Sequence, residues 1–149
     1  MYEIDQVVPH SAPMILLDKL VQYDITSATC AVKISNKSPF YCENTGGVPS
    51  YVGVEYMAQA IAAYAGALAL DANEDVKVGF LLGSRKYKAS QAVFLNGQTL
   101  SVDVEKLYEE ESGLRVFNCA ISIAQEEIVS AKLNVFQPAD AEGFIGEQE

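Results

Sequence analysis

The rhythm of hydrophobic and polar positions changes along this chain in an order that predicts its elements. Leu100, Val102 and Val104 alternate with polar neighbours in 99–110. Phe117, Cys119, Ile121 and Ile123 do so in 114–124, and Val129, Ala131, Leu133 and Val135 in 127–136. A period of two places apolar side chains on one face, so these segments predict antiparallel strands with one covered side. Residues 77–88, KVGFLLGSRKYK, open as an apolar run and predict another strand with a buried start. Asn96-Gly97 and Ser112-Gly113 supply turns. Upstream, MILLDKLVQ (14–22) and ATCAVKIS (28–35) predict a hairpin that turns through 24–27. Residues 2–8 predict a single helical turn, and 36–48, with Pro39 and Gly46-Gly47, a loop.

Between these strand regions, PSYVGVEYMAQAIAAYAGALAL (49–70) carries one charge, Glu55. Val54, Met57, Ala58, Ile61, Ala65 and Leu68 recur at helical spacing and mark one packed face. Pro49 stands at the start, where a missing N–H costs nothing. Glu55 and Gln59 are four apart and share another face. The segment is nearly long enough to span a membrane. Its alanines and glycines, its internal Glu55 and Gln59 and its lack of flanking Lys/Arg clusters argue against that. A helix that is apolar nearly all round needs cover on most sides. A curved antiparallel sheet wrapped around it supplies the cover, which makes the fold class α+β. Exposed sheet edges and one uncovered helix side predict a dimer.

Composition narrows this further. The 149 residues predict one domain, 1–137, followed by an acidic tail, 138–149. A net charge of -10 argues against a nucleic-acid-binding surface. The start, MYEIDQVVPHSAP, lacks the basic and apolar regions of a signal peptide. Three widely spaced cysteines and a single histidine form no ligand cluster, so no metal is expected. Reduced thiols in a cytoplasmic protein are the expectation.

Three segments resemble one family, the 3-hydroxyacyl-acyl-carrier-protein dehydratases. PHSAPMILLDKL (9–20) is similar to their LPHRxPFLLVD motif, VPSYVGVEYMAQAIAAYAG (48–66) to their xPGVLxxEAMAQ helix, and GFLLGSRKYKASQAVFLNGQTL (79–100) to their GIDKVRFKRPVxPGDxL segment. Order and spacing agree over roughly residues 7–136. PHxxPM and the P-x-x-x-G-x-E-Y-x-A-Q-A pattern are most similar to the dehydratase-like proteins of aryl polyene clusters. The resemblance implies the hotdog fold, a curved antiparallel sheet around one long helix. It implies dehydration of 3-hydroxyacyl thioesters to trans-2-enoyl thioesters, in aryl polyene or fatty-acid-like polyketide synthesis. The substrate would ride on the phosphopantetheine of an acyl carrier protein, with no other cofactor. The dimer would be with itself or with a sister dehydratase. The chain departs from the typical pattern at one place. Fourteen residues before Glu55, where those enzymes have the histidine of a GHFP loop, stands Tyr41.

Dehydration needs a base for the C2 proton, an acid for the C3 hydroxyl and a donor for the thioester oxygen. Glu55 suits the acid, since a carboxyl within an apolar helix is costly to ionise and its pKa is expected to rise. His10, the one imidazole, suits the base, and Tyr41 is the weaker substitute for the missing histidine. Where the family uses backbone amides at the helix start, this chain has Ser50 and Tyr51. Gln59, one turn beyond Glu55, can orient it or pack against a dimer mate. Four of the ten basic residues, Lys77, Arg85, Lys86 and Lys88, fall between 77 and 88 with no acid. They are expected at the tunnel mouth to attract the acidic carrier protein. Each of these has a structural reading too: a hydrogen-bonded carboxylate, a turn-capping histidine, a solvated strand end. Two other functions fit the same residues, a hotdog acyl thioesterase and a non-catalytic subunit that binds the carrier protein.

Overall fold

The computed structural model describes residues 1–10 and 14–137. A short helix α1 (Ile4–Val7) precedes strands β1 (Lys19–Tyr23), β2 (Ser27–Lys33) and β3 (Gly47–Pro49). A 3-10 turn (Ser50–Val52) leads into the long helix α2 (Gly53–Asp71). Then follow β4 (Phe80–Ala89), β5 (Val93–Leu95), β6 (Thr99–Glu109), β7 (Leu114–Ile123) and β8 (Glu126–Phe136). Six strands form one antiparallel sheet in the order β1-β2-β6-β7-β8-β4, and β3 pairs with β5 apart from it.

The alternation foreseen for β6, β7 and β8 holds in space. Cys30 of β2 faces Val102 of β6, which faces Ile121 of β7, which faces Val129 of β8. All four are buried, and they form one row of the inner sheet face. Register shifts between Lys106 and Tyr108 and between Arg85 and Lys88 mark bulges. Bulges raise local twist and bend the strands. Against the inner face lies α2, with Met57, Ala60, Ile61, Ala63, Tyr64 and Ala67 buried. Tyr64 meets Phe117 of β7 edge-on, ring centroids 5.7 Å apart, a favoured aromatic geometry.

Several boundaries differ from the sequence expectations. The hairpin is real, and Asp24 Oδ1 accepts from the Thr26 and Ser27 amides at its turn. Its first strand, however, starts at Lys19 and not at Met14. Residues 14–17 instead run along α2, where Gln59 takes their backbone bonds. β5 is an extra three-residue strand. β4 is an edge strand, with Leu81 and Leu82 exposed, so its buried start is corrected. The packed face of α2 is also rotated from the one expected. Val54, Ala58, Ala65 and Leu68 are only half-buried, because the sheet covers the Met57–Ala60–Tyr64 side. The acidic tail, 138–149, lies outside the described residues.

α1 docks on α2 at Gly66, where a β-carbon would collide with the Val7 carbonyl oxygen, so only glycine permits the approach. The same N-terminal arm is tied to the far end of α2. Tyr2 and Tyr23 both donate to the Asp71 carboxylate, at 2.6 and 2.8 Å, and their rings stack. These bonds hold the Asp71 carboxyl below its ordinary value. The same bond is the main reason that the Tyr23 hydroxyl is pushed up to about 12. A lowered acid contributes stability above its unfolded pKa and loses it as pH falls through the folded one; a raised phenol loses it as pH climbs toward its folded value. The clamp therefore works from about pH 4 to about pH 10. Tyr23→Phe is expected to be less stable than wild type at pH 7, with the gap shrinking below pH 4. Urea unfolding at the two pH values measures this.

Candidate active site

Four of the residues singled out from sequence, His10, Glu55, Gln59 and Lys77, come together. Glu55, in the first turn of α2, and His10, after α1, line one cavity of about 160 Å³. Gln59, Ala62 and Ala65 continue its wall along the helix, while Leu81 of β4 and Val135 of β8 close the opposite side. Lys77 and Arg115 line the same cavity.

His10 sits there because the chain around it is anchored on both sides. Val7 is fully buried against Gly66. From residue 14 on, the buried amide of Gln59 clasps the chain as a strap over residues 14–17: its Oε1 accepts from Leu16 N at 2.8 Å and its Nε2 donates to Met14 O at 2.8 Å. Gln59 is 2% exposed, so these bonds form away from water and their loss would leave a buried polar group unpaired. Of the two roles expected for Gln59, a hydrogen bond to Glu55 or packing against a dimer mate, the first is replaced by bonds to Met14 and Leu16.

The expected burial of Glu55 is corrected too. Glu55 is exposed in the protomer. The sheet covers one side of α2, and α1 with the strap covers another. The third side, marked by Glu55, Ala58, Ala62 and Ala65, faces the cavity and is only partly covered by the described residues. His10 is likewise exposed.

At the helix start, Ser50 N donates to Ala92 O at 2.9 Å, so it is not a free oxyanion donor. The Tyr51 side chain is 73% exposed, and neither Ser50 nor Tyr51 is among the residues that line the Glu55–His10 cavity. The phenol of Tyr87, pushed up to about 12 by burial, donates to the Ser50 carbonyl and fixes that turn. Tyr41, at the place of the missing histidine, is half-buried and packs against the core.

The basic segment splits. Lys77 lines the Glu55 cavity, but Lys86 and Lys88 line a separate hollow with Lys132, and Arg85 is paired with Lys132 across β4 and β8. The expectation of a single patch at the tunnel mouth is corrected, because strand geometry turns Arg85 and Lys88 to the outer sheet face. Arg115 was not foreseen. It is the second residue of β7, and only the sheet topology brings it to the same cavity as Lys77, so no local pattern marks it. Among the described residues, no group of three or more His, Cys, Asp or Glu is placed to hold a metal ion. No helix among them is long and apolar enough to cross a membrane.

The sequence matches the family model of ApeP-like proteins, described as ApeP dehydratase, over residues 2–146. The chain belongs to the ApeP-like dehydratase family. Its architecture is the hotdog fold. It has relatives among proteins named 3-hydroxyacyl-acyl-carrier-protein dehydratase FabZ. The one from Chlamydia trachomatis serovar L2 is 30% identical over 96 residues, 61% of this chain and 62% of the relative. The one from Staphylococcus saprophyticus is 30% identical over 108 residues, 69% and 71%. The match thus spans about three fifths of the chlamydial relative. The dehydratase heterocomplex ApeI:P from Xenorhabdus doucetiae is similar at a TM-score of 0.90 and 28% identity, over 100% of this chain and 99% of that one. A hypothetical thioesterase from Streptococcus pneumoniae with coenzyme A shares the fold alone, at a TM-score of 0.63 and 12% identity, over 80% of this chain and 84% of that one.

The three cysteines of this ApeP-like chain sit in different surroundings. Burial pushes the Cys30 and Cys119 thiols up to about 12. Cys42, half-buried in the loop after Tyr41, is held below the ordinary thiol value by the Thr45 hydroxyl and nearby amides. The thiolate is the reactive form. Iodoacetamide at pH 7 is expected to label Cys42 and spare Cys30 and Cys119 in the folded protein, as read by peptide mass spectrometry.

Proposed function

We propose that this protein dehydrates 3-hydroxyacyl thioesters carried on an acyl carrier protein to trans-2-enoyl thioesters, in aryl polyene or fatty-acid-like synthesis. The observation that carries the reading is that His10 and Glu55, from two separate motifs, line one cavity in a chain of a dehydratase family. His10 takes the C2 proton, Glu55 protonates the departing C3 hydroxyl, and water leaves. The thioester oxygen gains charge as the proton is removed and is met by the Tyr51 amide at the helix start. The phosphopantetheine arm delivers the substrate, and the chemistry needs no other cofactor.

For Glu55 to serve as the acid, its side of α2 has to be covered, because burial disfavours the charged form of a carboxyl. A second subunit laid over Glu55, Ala58, Ala62 and Ala65 and along the β4 edge supplies that cover. The similarity to the ApeI:P heterocomplex favours a sister dehydratase as that subunit. Three free cysteines suit the cytoplasm, where thiols stay reduced.

Exposed Glu55, with Tyr41 in place of the histidine, favours one other reading, a non-catalytic subunit that supports an active sister. A single assay separates them. With a 3-hydroxyacyl carrier protein as substrate, wild type alone or paired with a sister is expected to generate enoyl absorbance without releasing thiol. Glu55→Gln and His10→Ala are expected to lower kcat on the order of 100-fold or more. Full activity in the Glu55 variant of the pair would make this chain the supporting subunit, and thiol release would make it a thioesterase.

A further inference from the structure

The outer face of the sheet holds a hollow of about 530 Å³ that shares no lining residue with the Glu55–His10 cavity. Its charges are sorted by strand. Asp103 and Glu105 come from β6, Lys132 from β8, and Lys86 and Lys88 from β4, with Glu127, at the start of β8, as the exception. Asn118 and Ala120 of β7 lie between them and are uncharged. One row of the sheet shows the order directly: Ser27, Glu105, Asn118, Lys132 and Arg85 are successive cross-strand partners. Glu105, Asn118 and Arg85 are exposed, and Lys132 is half-buried.

The charges of this row are not satisfied within the chain. Neighbouring strands lie about 4.8 Å apart, so Glu105 and Lys132, on either side of β7, are separated by about 10 Å of sheet. Among the described residues, none of Glu105, Arg85 and Lys132 belongs to an ion pair. Arg85 and Lys132 instead stand directly opposite each other, and like charges at such a pair destabilise a sheet. A carboxylate laid over the two would relieve that repulsion. On the acidic side, the Thr29 hydroxyl donates to Asp103 Oδ1 at 2.6 Å and holds that carboxylate in place.

We infer that this face docks on the same face of a second copy of the chain. A two-fold axis running along β7 lays β6 of one copy over β8 of the other. Glu105 then meets Lys132 and Arg85 twice, once in each direction. Asn118 and Ala120 sit at the axis, where each meets its own copy and a charge would repel itself. Sheets stack about 10 Å apart, a gap that facing Glu and Lys side chains span. An acidic partner such as a carrier protein fits this face less well, because its carboxylates would meet Asp103 and Glu105. The face lies on the side of the sheet away from α2. Docking here therefore leaves the Glu55 side free for a sister subunit, and it does not depend on the dehydratase reading.

The test is the mass of the full chain in solution, by sedimentation. The samples are wild type, Glu105→Lys, Lys132→Glu, an equal mixture of these two, and the chain carrying both changes. Pairing through the α2 side is untouched by these changes, so the step they remove is the doubling contributed by the outer face. Either single reversal sets like charges opposite each other twice in the docked pair and is expected to weaken association about tenfold or more. The mixture and the doubly changed chain restore opposite charges at both contacts and are expected to return to the wild-type mass. Net charge alone predicts a different pattern: Glu105→Lys makes an acidic chain less acidic, so it would associate more than wild type. That pattern, a wild-type mass that neither reversal lowers, or single variants that do not recover on mixing would overturn the inference. So would an assembly that forms only once an acidic carrier protein is added.

Discussion

The side-chain amide of Gln59 lies buried within α2, and both its ends are taken by the strap that follows His10. Gln59 and Ser50 are the buried polar side chains among the described residues. An amide at 2% exposure is tolerable only when its hydrogen bonds are met. Here the requirement is satisfied by backbone from another part of the chain, so it dictates where that chain runs. The strap cannot join β1, because its Met14 and Leu16 groups are spent on α2. His10 is consequently held between the α1 docking at Gly66 and the Gln59 clasp, and it lines the same cavity as Glu55.

What the sheet and strap leave open is as informative as what they cover. The helix side bearing Glu55, Ala58, Ala62 and Ala65 and strand β4, the last strand of the described sheet, lie on the two walls of the same cavity. Small side chains on that helix side let another backbone come close. An edge strand with Leu81 and Leu82 exposed is a surface that proteins ordinarily cover. The chemistry assigned to Glu55 and the assembly assigned to the chain are therefore one physical question, since covering this side is what changes the carboxyl's surroundings.

Much of the fold was legible because β6, β7 and β8 each have one wet and one dry face, and period two records that contrast directly. The helix was legible as a helix but not as a face. Alanine dominates its sequence, so hydrophobic contrast around it is weak, and the true packed side is set by Tyr56, Tyr64 and the sheet above them. Burial of Glu55 was inferred from apolar neighbours in sequence, yet burial depends on what stands opposite, which a helix segment does not encode. β5 escaped notice because three residues are too few for a period. His10 and Glu55 were legible from their motifs. Arg115 was not, since its place beside Lys77 arises from strand order alone. The Lys86 and Lys88 side chains were misplaced because sequence proximity to Lys77 says nothing about which face a bulged strand presents.

The most direct test of the Gln59 clasp is hydrogen exchange at the Leu16 amide, compared between wild type and Gln59→Leu. The clasp predicts a protected Leu16 amide in wild type and loss of that protection in the variant, while amides within α2 stay protected and stability falls by about 1–3 kcal/mol. A Leu16 amide that exchanges freely in wild type, or stays protected without Gln59, would show that the strap is held by something else and would remove the basis for placing His10 beside Glu55.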